Sequence, residues 1–476
     1  MAKSDRSFYF IGIAGAAMGA AAVALKNAGY DVSGADENVY PPMSDMLTAH
    51  EIPYFTGFDP AHLNDTNAII VIGNALSRGN PEVETVLDRR LQFVSLPELI
   101  RTWMIRDKYS IVVTGTHGKS TTTSLLSWIF HEAGKNPGYM VGGIPNDLTQ
   151  SCAIGSNELF IIEGDEYDTA FFDKRSKFLH YRPDYLILNN IELDHVDIFD
   201  SIHDIKRSFM HLLSIVPSSG LIIANTDDSN VGSIICEHPV TAREIVPVCT
   251  YGKKSRSDFH ISGFRYDENG LSFELAHRKY GSETIMTGLY GDFQSYNVTA
   301  AIIASLEYGI TMESIKKSVR TFTGLKRRLE VKGVARGITV IDDFAHHPTA
   351  VKGTLQAVKR KFKGKHIWAV LEPRSNSMRR SVFEPLLLDA LKDADSVIVS
   401  AVYRPEKIPE NERFNPQDIV EKLNESGGQA LFIGDVDVIV DYLSENAARN
   451  DVILGMSNGG FGGLYTKLLD TLSADE

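Results

Sequence analysis

The stretch "VVTGTHGKSTTT" (112–123) places a loop rich in glycine and hydroxyl side chains directly after an apolar run. Gly118, Lys119 and Ser120 match the end of the phosphate-binding pattern G-x-x-x-x-G-K-[ST], but Val113 stands where the first glycine of that pattern is expected. Such a loop binds phosphates with backbone N–H groups and an ammonium, and its hydroxyl holds Mg²⁺. A simple glycine turn before a helix is the alternative interpretation.

Acidic and amide residues follow two other apolar runs of the same region. "LFIIEGDEYD" and "LILNNIELDH" supply Glu163, Asp165, Glu166, Asn190, Glu192, Asp194 and His195. Ligands of open α/β sheets bind beyond the carboxyl ends of the strands, so these side chains are expected near the loop. Carboxylate oxygens suit a divalent cation. The sequence therefore predicts an ATP–Mg²⁺ site, although His195 taken alone could equally be structural.

A second group of glycines lies near the start of the chain. In "FIGIAGAAMG", Gly12 and Gly15 separate a strand-like run from an alanine-rich helix, and "YDVSGAD" ends on Asp36. Strand, glycine turn, helix, strand and acidic residue together indicate a nucleotide-binding βαβ unit. The 19 uncharged residues between Arg6 and Lys26 are near the minimum for a membrane span, but the glycines favour a soluble domain. Asp36 either binds a ribose hydroxyl or caps its strand.

The elements that position these residues repeat one pattern, in which an apolar run of four to seven residues precedes a helical stretch. The clearest runs are "FYFIGI", "YDVSG", "AIIVIG", "QFVSL", "SIVVTG", "LFIIEGDE", "YLILNNIE", "GLIIAN", "ITVIDDF", "HIWAVLEP", "SVIVSAV", "ALFIG" and "DVILGM". They predict three α/β domains with mainly parallel sheets, at 1–107, 108–328 and 329–476. The outer two resemble dinucleotide-binding domains and the central one a phosphate-loop ATPase. Residues 251–290 alternate polar and apolar and predict a small antiparallel excursion.

Composition limits the partners. The chain has 476 residues and a net charge of −13, which argues against nucleic acid or an anionic membrane as a partner. Its three cysteines share no metal or redox spacing, so a reducing compartment, the cytoplasm, is expected. A monomer or weak dimer is expected.

Four motifs in order, "TGTHGKSTTT", "EGDEYD", "NNIELDH" and "DDFAHHP" (342–348), resemble those of the Mur ligases, ATP-dependent amide ligases of peptidoglycan synthesis. The resemblance covers essentially the whole chain. The phosphate loop of this family is a shortened G-T-x-G-K-[ST]-T, which accounts for Val113. The resemblance also implies that the first glycine loop holds a UDP-sugar and that "LKRRLE" (325–330) is an interdomain linker.

The resemblance implies a role for each matching residue. Implied catalytic residues are Lys119, Glu163, His195 and His346. Implied metal ligands are Ser120, Glu163 and His195. Implied ATP contacts are Gly115, Thr116, Gly118, Lys119, Ser120, Thr121, Asn297, Asp343 and Arg327, with Arg328 as the alternative arginine. Implied UDP-sugar contacts are Gly12, Gly15, Met18, Asp36 and Asn74.

The chemistry implied is transfer of the γ-phosphoryl of ATP to a carboxylate, followed by attack of an amine on the acyl phosphate. "LEPRSNSMRR" (371–380) and "MSNGGFGGLYTKLL" (456–469) resemble the family members that join UDP-N-acetylmuramate to the recycled tripeptide L-alanyl-γ-D-glutamyl-meso-diaminopimelate. The peptide contacts implied there are Arg374, Ser375, Asn376, Ser457 and Asn458. The "DNPR" motif of diaminopimelate-adding relatives is absent, so the tripeptide would be held differently.

Other functions remain open at this point. Within the family, the alternative amine substrate is L-alanine. Alternatives from other classes are a phosphate-loop ATPase without ligase activity, a dinucleotide-dependent oxidoreductase and a non-catalytic UDP-sugar sensor. The chain departs from the family at "GDFQSYN" (291–297), where Phe293 and Gln294 replace the histidine and asparagine of the adenine motif. No carbamylated lysine is predicted, because Ser208 or Phe209 aligns with that position.

Overall fold

The computed structural model describes residues 6–41, 43–64 and 66–474, which form three large sheets in succession along the chain and a separate two-stranded hairpin. The first sheet is parallel throughout, with the order β3-β2-β1-β4-β5. Its strands are β1 Ser7–Ile11, β2 Asp31–Asp36, β3 Tyr54–Thr56, β4 Ile69–Ile72 and β5 Phe93–Ser95. Its helices are α1 Ala16–Asn27, α2 Met43–Ala49, α3 Pro81–Asp88 and α4 Leu96–Leu99.

The uncharged N-terminal stretch is therefore divided between β1, a glycine loop and α1. None of the helices in the described part of the chain is long and apolar enough to cross a membrane. A π-helical turn, Ile100–Ile105, leads from α4 into the central sheet.

The central sheet has ten strands in the order β17-β16-β15-β14-β13-β12-β6-β9-β7-β8. Its strands, with those of the separate hairpin β10–β11, are β6 Tyr109–Thr114, β7 Gly138–Met140, β8 Cys152–Ala153, β9 Leu159–Gly164, β10 Asp168–Ala170, β11 Asp173–Ser176, β12 Tyr185–Leu188, β13 Leu221–Asn225, β14 Val248–Gly252, β15 Phe259–Asp267, β16 Gly270–His277 and β17 Gly281–Thr287. Its helices are α5 Lys119–Glu132, α6 Ile202–Leu213, α7 Ser229–Glu237, α8 Pro239–Ala242, α9 Phe293–Tyr308 and α10 Met312–Thr321.

Strands β6, β9 and β12, which precede the predicted ATP-site residues, are adjacent and parallel. The predicted antiparallel excursion is confirmed, since β15, β16 and β17 pair antiparallel within residues 251–290. They extend the edge of the central sheet and do not form a sheet of their own.

The third sheet has the order β18-β19-β23-β20-β21-β22 and is parallel except for β18. Its strands are β18 Glu330–Ala335, β19 Ile338–Asp343, β20 Ile367–Leu371, β21 Ser396–Val399, β22 Ala430–Phe432 and β23 Val452–Met456. Its helices are α11 Pro348–Lys361, α12 Glu384–Leu391, α13 Pro416–Glu425, α14 Val436–Asn446 and α15 Leu464–Ala474. Each apolar run quoted above overlaps a strand, so the α/β class with mainly parallel sheets is confirmed.

The apolar cores are distributed unevenly among the sheets. One buried cluster is continuous across the first two sheets and contains Phe8 and Leu25 together with Val112 and Phe160. The third sheet has a separate cluster on each face, one around Leu355 and one around Leu468. Burial of apolar surface is the main stabilising contribution to folding, so the first two sheets stabilise each other more directly than either stabilises the third.

Candidate functional site

The loop between β6 and α5 is built around two glycines in the left-handed region. Gly115 has φ +136° and Gly118 has φ +83°, a range that favours glycine. A Cβ on Gly118 would lie 2.2 Å from Oδ1 of Asn297, and a Cβ on Gly115 would lie 3.1 Å from the backbone of Asn190. Other residues at either position would be strained, which explains the glycine spacing.

Asn190, at the end of β12, fixes the shape of this loop. Its Oδ1 accepts a hydrogen bond of 2.7 Å from the His117 amide, and its Nδ2 donates to the His117 carbonyl. The Thr116 amide donates to the Asn190 carbonyl, and the Thr116 hydroxyl accepts a 2.8 Å bond from the Glu192 amide. The loop is therefore held in place by the neighbouring strand end.

Lys119, the first residue of α5, lies in a carboxylate cluster. Its Nζ donates to Oε2 of Glu166 at 3.0 Å and to the Gly115 carbonyl at 2.8 Å, and it lies 3.9 Å from Oδ1 of Asp165. Burial opposes its charge, but the carboxylates of Glu166 and Asp165 outweigh burial and raise the pKa of Lys119 above its ordinary value. The ammonium is therefore present at neutral pH.

Glu163, at the end of β9, faces the start of the same helix. Its Oε2 accepts a 3.0 Å hydrogen bond from the Ser120 hydroxyl, and its Oε1 accepts from the Gly142 amide. Burial, together with the nearby carboxylate of Asp165, raises the pKa of Glu163 to about 7. A hydroxyl and a carboxylate so placed are hard oxygen donors suited to a divalent cation.

His195 reaches the same cluster from the segment after β12. It adopts φ 50°, and its Nε2 lies 3.7 Å from Oε1 of Glu166 and 3.9 Å from Oδ2 of Asp194. Burial opposes ionisation of Asp194, but His195 and His347 outweigh it and lower the pKa of Asp194. Ser120, Glu163 and His195 thus border one acidic cluster.

The third domain contacts this cluster through the segment after β20. The buried Ser377 hydroxyl donates to Oδ1 of Asp194, and the amide Nδ2 of Asn376 donates to Oδ2 of Asp197 at 2.9 Å. The Ser375 hydroxyl donates to the carbonyl of His346 at 3.0 Å. Burial lowers the pKa of His346 to about 4, so this imidazole is neutral at pH 7.

Three of the residues predicted to contact ATP, namely Arg327, Asp343 and Asn297, form hydrogen bonds with other residues of the chain. The Arg327 guanidinium contacts Asp342 and donates to the carbonyls of Ser457 and Gly459. The buried carboxylate of Asp343 accepts from the amides of Leu329 and Ala345 and from the Thr354 hydroxyl. The Asn297 Oδ1 accepts from the Thr122 hydroxyl at 3.3 Å, and the adjacent Thr121 is buried. Arg327 and Asp343 hold the linker against the third domain, and the guanidinium groups of Arg327 and Arg328 both lie over the Phe344 ring.

The candidate UDP-sugar residues meet at the carboxyl ends of β1, β2 and β4. Gly12 has φ +90°, Gly15 precedes α1, and Met18 is buried in that helix. The Asp36 carboxylate accepts a 2.9 Å hydrogen bond from the Ala14 amide, and so supports the glycine loop. The Asn74 amide Nδ2 donates to the Asp168 carbonyl of β10, which links this domain to the central one.

The remaining peptide candidates lie at the carboxyl ends of β20 and β23. The Arg374 guanidinium is 3.7 Å from the centre of the Tyr403 ring and 3.4 Å from Oε1 of Glu372. The Ser457 hydroxyl donates to Glu372. Oδ1 of Asn458 is buried, with no hydrogen-bond partner among the residues that the structure describes.

The sequence interpretation missed two side chains of the site. Ser377 lies inside the motif quoted for peptide binding but contacts Asp194 instead. Lys177, whose Nζ lies 3.6 Å from Oδ2 of Asp165, is a second ammonium in the acidic cluster. The sequence around Lys177, just after β11, carries no motif, so only the folded hairpin brings this side chain there. The cluster as a whole can bind a polyphosphate, a divalent cation and a reacting carboxylate at one place.

Three family models together match most of the chain. They are described as the Mur ligase family catalytic domain over residues 7–108, the Mur ligase middle domain over residues 113–305, and the Mur ligase glutamate ligase domain over residues 327–459. The chain belongs to the Mur ligase family of ATP-dependent ligases.

Individual relatives match along almost the whole chain. The UDP-N-acetylmuramate–L-alanyl-γ-D-glutamyl-meso-2,6-diaminoheptandioate ligase of Escherichia coli is 38% identical over 98% of both chains. A UDP-N-acetylmuramate–L-alanine ligase of Acetivibrio thermocellus is 31% identical over 95% of this chain and 93% of that one. The crystal structure of a murein peptide ligase from Psychrobacter arcticus superposes with a TM-score of 0.73 at 32% identity, covering 98% of this chain and 99% of that one.

Proposed function

We propose that this chain joins UDP-N-acetylmuramate to the tripeptide L-alanyl-γ-D-glutamyl-meso-diaminopimelate in murein recycling, through an acyl phosphate. The observation that carries the proposal is the near-complete match to the tripeptide-adding ligase of Escherichia coli, with higher identity than to the L-alanine-adding ligase of Acetivibrio thermocellus. The motifs "LEPRSNSMRR" and "MSNGGFGGLYTKLL", which lie at the carboxyl ends of β20 and β23, also support the tripeptide as the amine substrate. Residues 1–107 would bind the UDP-sugar, 108–328 ATP, and 329–476 the peptide.

Lys119 and the backbone of residues 115–118 would bind the phosphates of ATP. Thr116 and Thr121 lie on the same loop and helix, and Asn297 borders it at Gly118. Ser120, Glu163 and His195 fit a Mg²⁺ site because the hydroxyl and carboxylate are hard oxygen donors already directed at each other. When bound, the cation would neutralise charge on the transferring phosphoryl group.

The chain's own residues would then organise two successive steps. The carboxylate of the UDP-sugar attacks the γ-phosphorus of ATP and releases ADP, and Lys119 stabilises the charge that moves onto the phosphate oxygens. The peptide amine next attacks the acyl carbon, a proton leaves the nitrogen, and inorganic phosphate departs as the amide forms. Contact between the central and third domains, as at Ser377, would exclude water that hydrolyses the acyl phosphate.

The proposed substrate-binding roles rest on the family resemblance, and position in the three sheets supports them. The UDP-sugar would be bound by Gly12, Gly15, Met18, Asp36 and Asn74. The peptide would be bound by Arg374, Ser375, Asn376, Ser457 and Asn458. His346, Arg327 and Asp343 would border the nucleotide from the third domain and its linker. Arg374 is a guanidinium suited to the carboxylates of the tripeptide.

The test is ATP-dependent phosphate release with UDP-N-acetylmuramate, run in parallel with the tripeptide and with L-alanine, with products identified by mass. We expect phosphate release and an amide product with the tripeptide. Activity with L-alanine alone would contradict the proposed amine and leave the ligase reaction intact. Phosphate release that needs neither amine nor UDP-sugar would contradict the ligase function itself.

A matched pair of variants assigns the reaction to this site. Lys119→Ala should lower the rate of phosphate release at least about 100-fold, because the charged donor to the transferring phosphoryl group is lost, while UDP-sugar binding persists. Lys135→Ala, an exposed lysine just beyond the other end of α5, should keep wild-type turnover. Equal losses in the two variants would show that charge near α5, and not this position, matters.

A further inference from the structure

A cluster of three potential metal ligands lies beside the phosphate loop and shares no member with the proposed Mg²⁺ ligands. One ligand atom from each of His117, Glu192 and His347 lies within 4.8 Å of the other two. His117 belongs to the phosphate loop and Glu192 follows β12, whereas His347 precedes α11 of the third domain. The cluster therefore joins two domains.

The distances suit a small divalent cation with nitrogen ligands. The Nε2 of His117 is 3.5 Å from Oε2 of Glu192, and the Nδ1 of His347 is 3.7 Å from the same oxygen. Bonds of about 2.0–2.2 Å in a tetrahedron around Zn²⁺ place neighbouring ligand atoms about 3.4 Å apart. Small side-chain shifts would bring all three atoms onto one ion.

One ligand atom of the cluster makes no hydrogen bond to any described residue. The Nε2 of His117 is buried and finds no hydrogen-bond partner among the described residues. An unpaired buried polar atom costs about 1–3 kcal/mol, and it points to a missing partner at this position. Coordination of a cation would satisfy it.

The other two ligands are oriented by neighbouring groups. The Nε2 of His347 lies 3.2 Å from the Leu193 carbonyl. Because a carbonyl only accepts hydrogen bonds, this Nε2 carries the proton and the lone pair of the ring is on Nδ1. That pair now accepts a long 3.3 Å hydrogen bond from the Thr349 amide, which an ion would replace. The Thr349 hydroxyl also donates to Oε2 of Glu192 at 2.6 Å. Such outer contacts are typical of metal-binding histidines and carboxylates.

Two of the three ligands line an open cleft. An open cleft of about 410 Å³ is lined by Glu192 and His347 together with apolar side chains that include Ile202, Val382 and Leu386. The cleft therefore gives an ion a route to Glu192 and His347 without unfolding of the domains. Two imidazoles and one carboxylate favour Zn²⁺ over Mg²⁺, which prefers oxygen ligands.

We propose that His117, Glu192 and His347 form a Zn²⁺ site that ties the phosphate loop to the third domain. The ion would fix the orientation of His117, two residues before Lys119, relative to α11. It would thus hold the central and third domains in the contact seen here. The proposal is independent of the substrate assigned above, because it concerns three side chains to which no substrate role is assigned.

The test is a titration of the full-length, chelator-treated protein with Co²⁺, whose visible absorption reports tetrahedral nitrogen and oxygen coordination. Excess Mg²⁺ and ADP are present to occupy the phosphate site. We expect one Co²⁺ per chain, displaced by one equivalent of Zn²⁺. His347→Asn, which keeps a side chain that caps α11, and Glu192→Gln should each weaken Co²⁺ binding at least about tenfold.

Two further variants separate this site from other possibilities. His203→Asn, at an exposed histidine of α6, should bind Co²⁺ as the wild type does. His195→Asn should also keep the absorption band. Loss of the band in His195→Asn with retention in His347→Asn would place the ion among the proposed Mg²⁺ ligands and overturn the proposal. Absence of tetrahedral Co²⁺ absorption in the wild type would overturn it as well.

Discussion

Glu82 is a buried carboxylate in the N-terminal domain whose two oxygens have unequal surroundings. Its Oε1 accepts hydrogen bonds from the Tyr9 hydroxyl, the Asp59 amide and His62, whereas Oε2 is buried without a partner among the described residues. Burial raises the pKa of Glu82 above its ordinary value of 4.5, although these hydrogen bonds oppose the rise. The ionised form therefore costs folding free energy.

The sign of this effect predicts a pH-dependent gain in stability for Glu82→Gln. The pKa of this carboxyl is higher in the folded than in the unfolded chain. Below pH 4.5 the group is protonated in both states and does not lower the free energy of unfolding, but it lowers that free energy increasingly as pH rises through the folded pKa. Glutamine keeps an acceptor for Tyr9 and removes the charge. We expect the Tm of the variant to exceed that of the wild type by about 2 °C or more at pH 8, and by less at pH 5.

Thermal unfolding followed by circular dichroism at both pH values measures this difference. Asp88→Asn, an exposed carboxylate on the same helix α3, is the control and should shift the Tm similarly at both pH values. A Glu82→Gln gain of equal size at pH 5 and pH 8 would show that the charge is not the cause.

The sequence indicates which residues gather around the phosphate loop, but not the contacts that they make there. Gly115, Gly118 and Lys119 could be placed because a phosphate loop constrains three neighbouring positions of one turn. The inward-facing partners of Arg327 and Asp343 could not be predicted, because they depend on how the linker packs on the third domain. The same holds for the cluster that contains His347, whose members lie far apart in the chain.

At the level of elements, the segments after β12 and after β20 are connected by a buried hydrogen bond. The Ser377 hydroxyl donates to Asp194, next to the proposed metal ligand His195. Hydrogen bonds to charged groups typically contribute about 1.5–3 kcal/mol. This contact therefore stabilises the approach of the third domain to the phosphate loop.

Ser377→Ala should accordingly lower kcat about tenfold, which corresponds to about 1.4 kcal/mol of lost stabilisation. The KM for ATP should change by less than about threefold, because Lys119 and its loop are untouched. Steady-state phosphate release with the tripeptide measures both constants. Ser444→Ala, in α14 on the far side of the third sheet, is the control. A change confined to KM would mean that Ser377 contributes to ground-state binding alone.

Elements were more predictable than domain contacts. The apolar runs "FYFIGI" and "AIIVIG" became the adjacent parallel strands β1 and β4 because their residues are buried on both faces. The hairpin β10–β11 was not predicted. Its Phe172 ring packs edge-on against the Phe93 ring of the first sheet, with the ring centres 5.0 Å apart. This contact depends on tertiary structure and not on a local sequence pattern.

At the scale of the whole molecule, the distribution of apolar clusters predicts two unfolding units. The first two sheets share one continuous cluster, and the third sheet has clusters of its own on both faces. Units with separate cores unfold separately when few contacts join them. Calorimetry should therefore show two transitions in the absence of ligands.

Truncation checks the assignment of those transitions. A chain of residues 1–328 should show a single cooperative transition, and a chain of residues 329–476 should fold alone and reproduce the other. One transition for the intact protein, together with an unfolded 329–476 chain, would contradict the prediction. Far-ultraviolet circular dichroism of the two pieces distinguishes these outcomes.

The shared core of the first two sheets also has a consequence for how such chains diversify. A substitution at Phe8 or Val112 disturbs a packing arrangement that spans both sheets, so those parts must change together over time. The third sheet keeps its own interior and is free to vary or to be exchanged between related chains. With the peptide assigned to the third sheet as proposed, divergence in the incoming amine can accumulate in the last third of the chain, while the proposed UDP-sugar and ATP domains are inherited as one piece.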